Sequence, residues 1–519
     1  MTDEHPQPPD REAEPISSVE TASEVIATGP LCLVGACLIA AQLLPLANGH
    51  YGWFIDEFYC FACADRLDWG YVDHPPLSIA LLAIVRAVFG DSLLAARAMA
   101  AICGAATVWI GGAMAQRLGA GRRGQLLAGT VIACTPLLIV ISSFYSMNAI
   151  EVVLLSACCL LLLDVLQRGE SGRWKWVGLV IGIALLNKHT AILFAVGLAA
   201  GVLMTPHRRA LRERALWIGV GLAVLVVLPN LVWQAQHGWV SLDFYRNAGA
   251  KNIATSPLQA LLTQVLSLNP GSLPIWGAGV WLLLRDARVR PLGVLFTLVF
   301  LGLVLLGQSR QDRIAGLVPL VMAAGAAYWD ARASRAVGRV LFAAPLAISL
   351  VLAPVFIPVL PPTALARYAA RLGVVPELEV HSRALALPQW LADRVGWEGY
   401  VHAIEDAYAG LPEAERNASV IITRSYGSAG SLELLGRGLP PVYAVHNSYH
   451  SWGPPKPFEV AIVVQFSERE LLQYFESVVR VGEYQCEYCR QWSDPTPIYV
   501  VRGPKRPIAE VWKDLARYI

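Results

Sequence analysis

Residues 51–77, YGWFIDEFYCFACADRLDWGYVDHPPL, decide how this chain is read. The stretch carries Asp56, Glu57, Asp65, Asp68 and Asp73 together with Arg66 and His74, set among aromatic residues. From Glu57 to Leu67, aromatic and Ala/Cys positions recur at helical spacing, which predicts a short helix lying along a membrane surface. Pro75 and Pro76 stop any helix before them and turn the chain back. A loop this rich in carboxylates is either a solvated surface or a site. What flanks it bears on the choice.

On both sides the chain is apolar. Of 519 residues, 55% are hydrophobic and only 15% charged, with a mean hydropathy of +0.49. Soluble domains carry about 25% charged residues. Runs such as Gly178–Leu186, Thr190–Met204 and Trp217–Leu228 contain no charge. Such runs predict a polytopic membrane protein that is mostly α-helical. About eleven spans are expected, near 30–47, 92–116, 125–142, 148–166, 175–187, 189–205, 215–234, 268–284, 292–307, 314–329 and 338–360. Residues 1–29 are acidic and Pro-rich without an apolar core, and are read as a disordered cytoplasmic tail. The net charge of +2 gives no reason to expect a nucleic-acid partner.

Arginine places the loops. Arg117, Arg122 and Arg123 share one loop, and Arg168, Arg173 and Lys175 another. The remaining groups are Arg208, Arg209, Arg212 and Arg214, then Arg285, Arg288 and Arg290, then Arg332, Arg335 and Arg339. Every second loop is basic, as expected of loops facing the cytoplasm. The loop 48–91 then lies outside the inner membrane, with the turns at 142–147, 237–257 and 308–313. Beyond residue 361 the composition shifts, and 362–519 reads as an extracytoplasmic α/β domain. Strands are expected at Ser419–Thr423, Val442–Val445, Val460–Phe466, Val478–Glu483 and Ile498–Arg502. Helices are expected at Trp397–Ala409, Gly430–Leu435, Arg469–Glu476 and Ile508–Tyr518. Cys486 and Cys489 form a C-x-x-C there, read as a local disulfide. Six further cysteines fall in spans and read as packing residues.

The chemistry-bearing residues gather on the outer side. Asp56 and Glu57 follow the first span, where a carboxylate suits general-base work on a hydroxyl acceptor. Asp73 and His74 close the same loop. Arg246, Lys251, Arg310 and Arg313 are outer cations that run against the charge rule, and anion binding gives them a purpose. Asn148, Glu151 and Lys188 stand near the outer ends of spans. Charges midway along spans are scarce, which argues against an ion-coupled transporter.

An Asp-Glu pair just after the first span, followed by LDWGYVDHPPL, resembles the polytopic glycosyltransferases of the C-type fold. The nearest group is the bacterial family related to protein O-mannosyltransferases and the lipid A aminoarabinose transferase. SMNAIE at 146–151, NKHTAIL at 187–193, PNLVWQAQHGWVSLDF at 229–244 and QSRQDRIAGLVPL at 308–320 continue the resemblance. In the last region, YGSAGSLELLG at 426–436 and HNSYHSWGP at 446–454 resemble the tail of some bacterial members. The resemblance implies transfer of a sugar from a polyprenyl-phosphate-linked donor to a hydroxyl acceptor on a glycolipid, a polysaccharide or a protein, with inversion. It implies Asp56, with Glu57 beside it, as the catalytic carboxylate. His74, Arg310 and Arg313 are the implied contacts to donor phosphate. Asp73, Asn148, Glu151, Lys188 and Arg246 complete the expected substrate site. His74 stands where a lysine is usual, Asn148 where some members have aspartate, and Ile314 where an aromatic is usual. No metal ligand set is expected, and the sequence decides neither for nor against a divalent cation. A flippase for lipid-linked sugar and a non-catalytic membrane scaffold are the competing readings.

Overall fold

The structure, a computed structural model, describes residues 25–307, 310–375, 377, 379 and 384–519. Most of the expected tail, and Gln308 and Ser309 of the outer turn, lie outside the described residues. Helices run in chain order as α1 Thr28–Leu43, α2 Ile55–Ala64, α3 Leu77–Phe89, α4 Leu93–Arg117, α5 Arg122–Ala133, α6 Pro136–Ile141, α7 Met147–Arg168 and α8 Trp174–Asn187. Then come α9 Ala191–Leu203, α10 Arg214–Gln236, α11 Val240–Ala248, α12 Pro257–Ser267, α13 Leu273–Arg285, α14 Arg290–Leu305, α15 Val318–Asp330 and α16 Arg335–Phe356.

This is a multi-pass membrane protein, and every expected span is helical. Among the described residues, five helices are long and apolar enough to cross a membrane singly. The bent pair formed by Ala191–Leu203 and Pro206–Arg212 would make a sixth. The run 125–142 is broken into α5 and α6, because Pro136 opens a new helix rather than extending the old one. Helices approach closely where glycine faces glycine. A Cβ on Gly178 of α8 would fall 2.1 Å from the Gly219 carbonyl oxygen of α10. Without a hydrophobic drive between helices in lipid, such close backbone contact holds the bundle.

The basic loops meet at one end of the bundle. Arg117 and Arg173 both pair with the buried Asp164, at 2.6 and 2.9 Å. The loops after α1, α6, α8 and α11 and before α15 meet at the other end, around the site described below. Two elements there depart from expectation. Residues 77–89 form the apolar α3 inside the predicted loop 48–91, too short at 13 residues to be read as a span. The α2 helix is enclosed by protein on several sides, with Phe58, Phe61 and Cys63 all buried.

The last region holds a mixed sheet in the order β2-β1-β3-β5-β4, with β1 Ser419–Thr423, β2 Val442–Ala444, β3 Val460–Val464, β4 Phe475–Tyr484 and β5 Thr496–Pro504. β1 pairs in parallel with β2 and β3, and β5 runs antiparallel to β3 and β4. Alternation divides the strands between two cores. Val420, Ile422, Val463 and Val501 face one side, and Ile421, Ile462, Val464 and Val500 face the other. The second face joins a continuous hydrophobic core with α2 and the membrane helices. Gly430 leaves no room for a Cβ against Phe58, and the Phe58 ring lies 4.8 Å from Trp397. Arg394, 1% exposed, donates to Ser143 Oγ at 2.7 Å, and Gly52 N donates to the Arg394 carbonyl at 2.9 Å. The helix expected over Ile508–Tyr518 ends at Trp512, and a short 3₁₀ turn follows. Cys486 and Cys489 stand as thiols rather than as the expected disulfide. Cys489 Sγ donates to the Cys486 carbonyl at 3.1 Å, and the neighbouring Cys489 thiol draws Cys486 down to about 7.

Candidate active site

The turn into α2 fixes the first site residue. Phe54 is extended at the N-cap, so Asp56 and Glu57 occupy the first helical turn, where the exposed amide ends favour carboxylates. Successive residues on a helix point about 100° apart, and the two side chains separate. Asp56 enters a cavity of about 270 Å³. Glu57 turns into the protein, 0% exposed, and meets Arg97 through two bonds of 3.0 and 2.8 Å. It also accepts from Phe54 N and Tyr145 N, at 2.8 and 2.9 Å. A carboxylate so fully engaged away from the cavity is a structural ion pair, which corrects the expectation that Glu57 is catalytic.

The cavity has an apolar wall and a charged wall. Leu137, Val140 and Ile141 of α6, with Phe144 and Met147, supply the first. Asp56, Asp73, His74, Lys188, Arg310, Asp312 and Arg313 line the rest, joined by Lys251 from the segment after α11. The final region closes it with Glu379, Asp393, Tyr426 and Arg490. Tyr426 Oη donates to Asp56 Oδ1 at 2.8 Å. Burial pushes the Asp56 carboxyl above its ordinary range; Tyr426 and Arg310 pull it back, while Glu379 and Asp73 add to the rise. Asp73 accepts from Tyr59 Oη at 2.8 Å and from Asn447 Nδ2 at 3.3 Å. His74 is 4% exposed, with Nδ1 3.1 Å from the Pro75 carbonyl. That oxygen only accepts, so Nδ1 carries a proton. Nε2 has no hydrogen-bond partner among the described residues and lies 3.9 Å from Asp73 Oδ1.

The cations are held by a chain of carboxylates. Lys188 Nζ lies 3.0 Å from Glu151 and 3.3 Å from Asp312. Arg310 spans Asp312 and Glu379 at 3.8 and 3.5 Å. Arg490 pairs with Glu379 at 2.5 Å and Asp393 at 3.3 Å. Burial alone would raise Asp312, but Lys188, Arg310 and Arg313 outweigh it and hold the carboxyl at about 2. Burial likewise opposes the Glu379 charge, and Arg310, Arg490 and Lys251 win. At Asp393 burial wins over Arg490, and the carboxyl rises to about 6.

Of the residues expected from sequence, Asp56, Asp73, His74, Asn148, Lys188, Arg310 and Arg313 converge on this cavity. Glu151 stands behind its wall as the partner of Lys188. Arg246 does not line it, a second correction: its side chain is 74% exposed and pairs with Asp243 on the solvent face of α11. Cys486 and Cys489 lie outside the lining. Sequence reasoning missed Thr190, Asp312, Glu379, Asp393, Tyr426, Asn447 and Arg490. Thr190, Asp312, Tyr426 and Asn447 sit within quoted motifs, so a signal existed for them. Among the described residues, no three His, Cys, Asp or Glu side chains are grouped to hold a metal ion.

Residues 73–233 match the family model described as dolichyl-phosphate-mannose-protein mannosyltransferase. A relative, the lipid A galacturonosyltransferase RgtD of Rhizobium johnstonii, is 26% identical over 186 residues; the match covers 36% of this chain and 39% of that protein. The crystal structure of ArnT from Cupriavidus metallidurans bound to undecaprenyl phosphate superposes with a TM-score of 0.60 at 15% identity, covering 95% of this chain and 99% of ArnT. Its apo form gives 0.60 at 16%, covering 92% and 98%. The fold is therefore the C-type glycosyltransferase fold, and the similarity in architecture extends through the final α/β region.

Proposed function

We propose that the chain is an integral-membrane glycosyltransferase that moves a sugar from a polyprenyl-phosphate donor to a hydroxyl acceptor at the outer face of the inner membrane. One observation carries this reading. A carboxylate kept easy to protonate, Asp56, shares a cavity with Lys251, Arg310 and Arg313, and the opposite wall is apolar. A lipid phosphate needs just such a pairing of cationic and apolar walls. The ArnT likeness, with undecaprenyl phosphate bound in that protein, supports the donor class. The RgtD likeness supports a glycolipid acceptor of the lipid A kind. The basic loops at the far end of the bundle support placing the cavity outside.

The acceptor hydroxyl gives its proton to Asp56 as its oxygen attacks the anomeric carbon. The bond from that carbon to the phosphate oxygen breaks, and the lipid phosphate leaves with the electron pair. Arg310, Arg313 and Lys251 stabilise the charge that develops on the leaving oxygen. A single displacement inverts the anomeric centre, and the transferred sugar is read as a hexose or pentose. Radiolabelled polyprenyl-phosphate sugars with crude envelope acceptor test the reading on protein in lipid. Asp56→Asn is expected to lower donor consumption by about 10² to 10⁴, the range typical of a lost general base. Wild-type rates in that variant would overturn it. Donor movement across the bilayer without covalent product would point to a flippase.

A further inference from the structure

The final α/β region does more than cover the cavity. Tyr426, the first residue of the helix Tyr426–Leu435, reaches back across 370 residues of sequence to Asp56. Its ring is clamped on both faces. Tyr59 of α2 stacks on one side at 4.5 Å and 25°, and His446 on the other at 4.5 Å and 23°. The clamp is itself anchored. Tyr59 Oη donates to Asp73, and the His446 ring bonds through Nε2 to the Ile519 carbonyl at 2.9 Å. Tyr426 therefore has little rotational freedom, and its hydroxyl is aimed at one oxygen of one carboxylate.

We infer that Tyr426 is a positioning residue for the Asp56 base, holding Oδ1 so that the other oxygen faces the acceptor hydroxyl. The inference rests on the proposed transferase reading. The geometry leaves Asp56 one fixed oxygen and one accepting oxygen, the arrangement a base needs to receive a proton at a defined place. A hydrogen bond donated to a carboxylate also stabilises its charged form. Tyr426 thus offsets part of the desolvation that Asp56 suffers. The other titratable or charged groups facing Asp56 are Arg310, Lys251, Glu379, Asp393, Asp73 and Cys60. None of these reaches it through a hydrogen bond among those described, so removing the phenol oxygen leaves their influence in place.

Tyr426→Phe keeps the ring and its clamp and deletes only the donor. Donor turnover in lipid, followed against pH with saturating and limiting donor, reads the result. The expected outcome is a fall in kcat of about ten-fold with donor KM changed less than two-fold. The acid limb of kcat/KM is expected to move to higher pH, since the unassisted carboxyl holds its proton longer. Tyr426→Leu, which removes the clamp as well, separates positioning from packing. If Tyr426 only packs, Phe behaves as wild type while Leu loses activity and thermal stability with an unmoved acid limb, and the inference falls. An unchanged acid limb and kcat in Tyr426→Phe beside a dead Asp56→Asn would also overturn it and leave the transferase reading standing. An active Asp56→Asn would overturn both.

Discussion

The two sides of α2 show what a protein does with one kind of charge. Behind the helix, Glu57 accepts from Arg97 and from two backbone amides and is fully buried. In front, among the described residues, Asp56 accepts a bond from Tyr426 and lines the cavity with its other oxygen. The residues adjoin in sequence and differ only by a helical step. The closed side fixes where the first turn of α2 sits, and the open side leaves a lone pair unspent. Chemistry requires the second condition, and the first keeps it in place.

Substitutions at the two positions are expected to fail in different ways. Asp56→Asn, the largest effect on turnover, should leave the thermal unfolding of detergent-solubilised protein nearly unchanged. Glu57→Ala should behave in the opposite sense. It strands the Arg97 guanidinium, 1% exposed, and breaking such a buried pair costs about 3–5 kcal/mol. A Glu57→Ala protein as stable as wild type would erase the contrast. A smaller effect follows from Asp393, whose carboxyl rises from the ordinary 3.8 to about 6. Between those values the folded form holds a proton that the unfolded chain releases. Stability therefore falls as pH rises through that window, by up to about 3 kcal/mol, and changes no further above it. Asp393→Asn should flatten that slope in unfolding measured from pH 4 to 7. Least of all, Arg246→Ala removes an exposed pair worth about 0–1 kcal/mol and should leave donor consumption at the wild-type rate. A marked loss there would draw α11 into the site.

Hydropathy and the alternation of basic loops made the bundle legible. Each apolar run became helix, because lipid forces the backbone to bond internally. Asp56, Asp73 and His74 were legible as a group because one short loop carries them all. Glu57 was over-read because adjacency in sequence says nothing of helical phase until the start of the helix is known. Arg246 was over-read because an outer cation looks alike whether it faces a cavity or water. Glu379, Asp393 and Arg490 carried no local pattern. They form a network only through folding, across 97 to 111 residues of intervening chain. The α3 helix escaped because its 13 residues are too few to cross the hydrocarbon and Arg86 interrupts the apolar run.

The span of sequence between Asp56 and Tyr426 sets a clock on the birth of the protein. A ribosome adds about 5–20 residues each second, so roughly 20 to 70 s separate the emergence of α2 from that of the helix that closes its cavity. Through that interval the helices α4 to α16 are made, while the charged cavity is missing the wall that Glu379, Asp393, Tyr426 and Arg490 supply. The cavity is complete only once the last region has folded against α2.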